Sequence, residues 1–105
     1  MASTKDFVSY VMEQILGTGS IRHIKMMGEY LVYVNDRPVF LICDNTAFIK
    51  ILPETTAILG SEARQDYPYK GAKLHYVVDV DDREIMSELA KTLARVISLP
   101  KSKKK

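Results

Sequence analysis

The chain has 105 residues, 47% of them apolar and 27% charged, which is enough for one domain with one hydrophobic core. Four of its fifteen basic residues are Lys101, Lys103, Lys104 and Lys105, so residues 1–100 hold eleven Lys/Arg against thirteen Asp/Glu. The body is therefore mildly acidic, unlike a dedicated DNA-binding domain, and no run of eighteen apolar residues offers a membrane span.

Near the start, Ser3 or Thr4 offers a helix cap. Phe7, Val8, Val11, Met12, Ile15 and Leu16 recur at helical spacing and make one apolar stripe. Gly17 stops this helix, and residues 17–20 form a glycine-rich turn that follows a helix, where a phosphate loop would open one. Ile21 to Met26 begins a sheet, with Gly28 permitting a bend or bulge before Tyr30.

The stretch from Lys25 to Ile51 contains three apolar runs rich in Val, Ile, Tyr and Phe, joined by Asn35-Asp36 and Asp44-Asn45. Asn and Asp tolerate the left-handed backbone that two-residue hairpin turns require, so the stretch reads as an antiparallel meander. Regular registration places Val32 opposite Val39, Leu31 opposite Phe40 and Leu41 opposite Phe48. One face then carries Leu31, Tyr33, Phe40, Ile42, Ala47, Ile49 and Ile51, the better core candidate. The other carries Tyr30, Val32, Val34, Val39, Leu41, Cys43 and Phe48, and is too apolar to face water alone.

Pro53 to Leu59 reads as a short helix ended by Gly60. Residues 61–73 read as a loop, and Leu74 to Val80 as a strand. Asp81 with Glu84 starts a last helix whose buried stripe is Ile85, Met86, Leu89, Ala90, Leu93, Val96 and Ile97. Leu99-Pro100 ends it, and 101–105 is expected to be a disordered basic tail. The expected fold is α+β: a single two-layer domain over 1–100, an antiparallel meander with the long N- and C-terminal helices packed on one face.

The run KMMGEYLVYVNDRPVFLICDNTAFIK, with YPYKGAK, VDVDDRE and the LPKSKKK ending, resembles the N-terminal domain of the TfoX/Sxy family. Its most specific part is Met26-Met27-Gly28-Glu29-Tyr30 followed by Tyr33; of this, Met27, Gly28, Tyr30 and Tyr33 form the family signature. Asn35-Asp36 stands where many members have an Asp-Gly or Asn-Gly turn. The resemblance implies a domain of bacterial competence regulators. In longer members this domain precedes a second one, and those proteins co-activate transcription with the cyclic-AMP receptor protein. It implies no catalytic residues.

The chemistry-bearing residues make no motif. Cys43, His23 and His75 have neither metal-ligand spacing nor the pattern of a nucleophile with its base, and the single cysteine fits a cytoplasmic protein. Asp79, Asp81, Asp82 and Glu84 lack the spacing of a calcium loop and suit helix capping. Tyr67, Tyr69 and Tyr76 interleave with Arg64, Lys70 and Lys73 in a pattern that suits single-stranded nucleic acid, diluted by Glu62, Asp66 and Asp79. Expected, then, is a non-enzymatic interaction domain with no cofactor. Its partner is a second copy or another protein, met through Tyr30, Val32, Val39, Leu41 and Phe48. The alternative is a nucleic-acid-associated transcriptional regulator using Lys101, Lys103, Lys104 and Lys105.

Overall fold

Residues 5–26 and 29–97 are described by the computed structural model. The N-terminal cap at Ser3 or Thr4, the Met27-Gly28 bend, the Leu99-Pro100 stop and the lysine tail lie outside the described residues. Helix α1 spans Lys5–Gln14 and buries Val8 and Val11, with Ile15 just beyond it also buried. Leu16, expected in the same stripe, is 64% exposed because the chain has already left the helix. The Gln14 side chain donates to the Val80 carbonyl at 2.7 Å and so ties α1 to the far end of the sequence.

After α1 the chain crosses back under close packing. Gly19 has φ of +154°, and a Cβ there would stand 2.8 Å from the Asn35 side chain and 2.9 Å from Val34. The crowding comes from a clasp in which the Asn35 amide donates to the Ser20 carbonyl while Asn35 Oδ1 accepts from the Ser20 amide.

Among the described residues six strands follow: β1 (Ile21–Met26), β2 (Glu29–Val34), β3 (Arg37–Cys43), β4 (Thr46–Lys50), β5 (Gln65–Asp66) and β6 (His75–Val78). They form one antiparallel sheet in the order β1-β2-β3-β4-β6-β5. Both hairpin turns take the expected left-handed backbone, with φ of 52° and 66° at Asn35 and Asp36 and 52° at both Asp44 and Asn45. The strand after residue 73 is shorter than expected, and the preceding loop contains the two-residue edge strand β5.

The register of β2 on β3 corrects the sequence-based map. Near the turn, Val34 pairs with Arg37 and Tyr33 with Pro38, as a regular hairpin requires. Beyond it the pairing shifts by one residue, so that Val32 meets Phe40, Leu31 meets Leu41 and Tyr30 meets Ile42. Val39 is the extra residue of a β-bulge. Its neighbour Pro38 has no amide hydrogen to give a ladder, and proline inside a sheet is found at such irregularities. A one-residue slip moves a whole strand's side chains to the opposite face. Tyr30, Val32 and Val34 therefore lie on the same face as Phe40 and Ile42, not opposite them.

Helix α2 (Pro53–Leu59) opens with proline, and the Thr55 hydroxyl accepts from the Leu52 amide at 2.9 Å while its own proton faces the Lys50 and Leu52 carbonyls. Helix α3 (Arg83–Val96) is capped by Asp82, whose carboxylate accepts from the Ile85 amide at 3.1 Å. The sequence pointed to Asp81 for that role. Asp81 instead accepts the Tyr10 hydroxyl at 2.6 Å, a bond that pushes the Tyr10 phenol above its usual range. At the other end of α3, Arg37 donates to the Ile97 carbonyl at 3.0 Å.

One core cluster gathers Val8, Val11 and Ile15 from the α1 region with Met86, Leu89, Ala90 and Leu93 from α3. The sheet residues in it are Tyr30, Val32, Val34, Val39, Phe40, Ile42, Ala47, Ile49, Tyr76 and Val78. Ile58 and Leu59 of α2 pack against the same cluster.

Candidate functional site

Cross-strand pairing sets out what the opposite face of the sheet displays. Ile24 pairs with Leu31, Leu31 with Leu41, Leu41 with Phe48, and Phe48 with Val77. One apolar residue from each of β1, β2, β3, β4 and β6 thus forms a continuous stripe across the sheet, perpendicular to the strands. Leu41 stands at its middle. Ile24 is 37% exposed, Leu31, Leu41 and Val77 are half-buried, and Phe48 is 5% exposed. Phe48 is buried outside the main core cluster, as is Cys43.

The stripe is flanked by two unlike rows. On one side, Arg22 pairs with Tyr33 and Tyr33 with Pro38, while Lys50 pairs with His75. The Arg22 guanidinium lies 4.2 Å from the centre of the Tyr33 ring and meets Asp36 at 3.2 Å. His75 Nδ1 is 2.8 Å from the Lys73 carbonyl, and Lys50 extends to solvent. On the other side, Met26 pairs with Glu29 and Cys43 with Thr46, and Asp79 follows the end of β6. Between the stripe and the first row lies a shallow hollow of about 210 Å³, lined by Leu31, Pro38, Leu41, Phe48, Lys50 and His75 among others.

Of the expected interaction face, Leu41 and Phe48 stand here. Tyr30, Val32 and Val39 do not: they are 3%, 0% and 4% exposed and belong to the core cluster, because the bulge at Val39 turns β2 over. Their places are taken by Ile24, Leu31 and Val77. A proline inside a run that reads as a central strand was the signal for this irregularity. Of the family-signature residues, Met27 and Gly28 lie outside the described residues, Tyr30 is a core residue and Tyr33 is on the open face.

The remaining candidates are dispersed. Burial, the nearby Glu29 carboxylate and Asp44 push the Cys43 thiol up to about 12, so it is a protonated, inert group at neutral pH. His23 pairs with Val32 on the core-bearing face and its ring packs 5.7 Å from that of Tyr30, away from Cys43. Among the described residues no group of three His, Cys, Asp or Glu is arranged to hold a metal ion. Tyr76 is 2% exposed and its hydroxyl meets Thr56 at 2.7 Å, which removes it from any stacking surface shared with the exposed Tyr67 and Tyr69. No described helix is long and apolar enough to cross a membrane.

No family model matches the chain. It is 30% identical over 110 residues to the uncharacterized 12.7 kDa protein in the trpE 5′ region of Spirochaeta aurantia. The match covers 99% of this chain and 91% of that protein. The chain belongs to that protein's family. The matched span runs through the segments that form the helices and the sheet of this chain.

Proposed function

We propose that the chain is a non-enzymatic interaction domain that meets a protein partner through the open face of its sheet. In this reading the fold is two-layered, with α1 and α3 on one face and the Ile24–Leu31–Leu41–Phe48–Val77 stripe left for the partner. The resemblance to the TfoX/Sxy N-terminal domain supports a regulatory role in the bacterial cytoplasm. The observation that carries the reading is the stripe itself: an apolar band across five strands, to which the core residues of the helices contribute nothing. Exposed apolar surface marks interaction sites, and here Ile24, Leu31, Leu41 and Val77 offer it, with Phe48 buried among them. The alternative, a nucleic-acid regulator acting through the lysine tail, draws no support from the open face, whose central row is uncharged.

The decisive comparison is between neighbouring residues of β3. Leu41→Glu, measured by urea unfolding at high dilution, is expected to cost about 1 kcal/mol, as for a half-buried site outside the core. Ile42→Ala, one residue on and fully buried, is expected to cost roughly 2–5 kcal/mol. A Leu41→Glu loss as large as that of Ile42→Ala would mean that the chain covers this face itself, and would overturn the reading.

A further inference from the structure

We propose that the occupant of the open face is a second copy of this chain, packed face to face about a two-fold axis that runs along the stripe through Leu41. The inference rests on the reading of that face as the interaction surface, and goes beyond it in naming the partner and the axis. A two-fold interface must be self-complementary. The stripe meets this condition along its own length, because rotation about it returns every residue to the same strand; it crosses β1, β2, β3, β4 and β6, with the two-residue β5 beyond. An axis along the stripe lays each stripe residue on its own counterpart.

Charge selects this axis over the alternative parallel to the strands. The row bearing Arg22, Lys50 and His75 lies on one side of the stripe, with Asp36 beside Arg22, and the row bearing Glu29 lies on the other. Rotation about the stripe lays the basic row over the acidic row. Arg22 then comes over the partner's Met26, with the partner's Glu29 on the neighbouring strand. Rotation about the strand direction would lay the basic row over its own copy, and like charges brought together across an interface are costly. Strands about 4.8 Å apart and rows about 6.8 Å apart give a footprint of roughly 24 by 20 Å, or about 1,000 Å² over both subunits. That is the lower edge for a specific interface, so the dimer is expected to be reversible and concentration-dependent.

The test uses single cysteines in the full chain with Cys43→Ala, treated with a short bismaleimide. Leu41→Cys and Ile24→Cys are each expected to convert to a covalent dimer with loss of the monomer band. Leu16→Cys, exposed on the helical side, should stay monomeric. Leu31→Cys serves as a second stripe position if Leu41→Cys does not fold. Absence of crosslinking at the stripe cysteines, or equal crosslinking at Leu16→Cys, overturns the homodimer while leaving the unfolding comparison at Leu41 and Ile42 as the separate test of the open face. Crosslinking of Ile24→Cys only when mixed with Val77→Cys would overturn the proposed axis.

Discussion

Pro38 brings no amide hydrogen to a strand that has neighbours on both sides, and the residue after it, Val39, is the one left over in the ladder. That local misfit decides which side chains of β2 meet the helices. Cys43, at the far end of the same strand, shows the opposite kind of control, in which surroundings set the chemistry of a side chain. Its thiol is held protonated up to about 12 by burial first and by Glu29 and Asp44 next. In the unfolded chain it ionises near its ordinary value of 9.0. The unfolded state therefore loses its proton first as pH rises, and the contribution of this group to stability, intact below about pH 9, is lost as pH rises toward about 12. Urea midpoints should fall over that window more steeply in the wild type than in Cys43→Ala. At neutral pH the wild-type thiol should react with a thiol reagent far more slowly than free cysteine, and reaction at the free rate would contradict the buried environment.

At the scale of the element, the bulge makes a prediction opposite to that of a regular hairpin. Val32→Ala should cost about 2 kcal/mol, because Val32 is fully buried in the core cluster, while Leu31→Ala should cost less despite removing a larger side chain. Chemical unfolding of the two variants checks it, and the reverse order would restore the unbulged register. Much of the fold was legible in advance. The Asn-Asp and Asp-Asn pairs announce two-residue turns, apolar spacing announces α1 and α3, and Pro53 with Gly60 brackets α2. The bulge had Pro38 as its one sign, since alternation of apolar residues in β2 fits either face: Tyr30, Val32 and Val34 alternate with Glu29, Leu31 and Tyr33, and both sets contain large apolar side chains. The site was half-legible for the same reason. Leu41 and Phe48 depend only on the regular β3–β4 pairing, whereas the β2 contribution depends on the bulge. Val77 and Ile24 enter through strands outside the meander.

Over the whole molecule, a sheet with a core on one side and an apolar stripe on the other is an unfinished surface. The two sides are built differently. The core side takes its partners from α1, α2 and α3 of the same chain. The other side is a central apolar band with Arg22, Lys50 and His75 along one edge and Glu29 along the other, which in the proposed dimer meets a second identical sheet. Light scattering coupled to size-exclusion chromatography over a concentration series, on wild type and Leu41→Glu, measures this most directly. The expected result is a wild-type mass that rises from monomer to dimer with concentration, and a Leu41→Glu mass that stays at the monomer throughout. A wild type that remains monomeric at every concentration, or a Leu41→Glu variant that dimerises as readily, would contradict it.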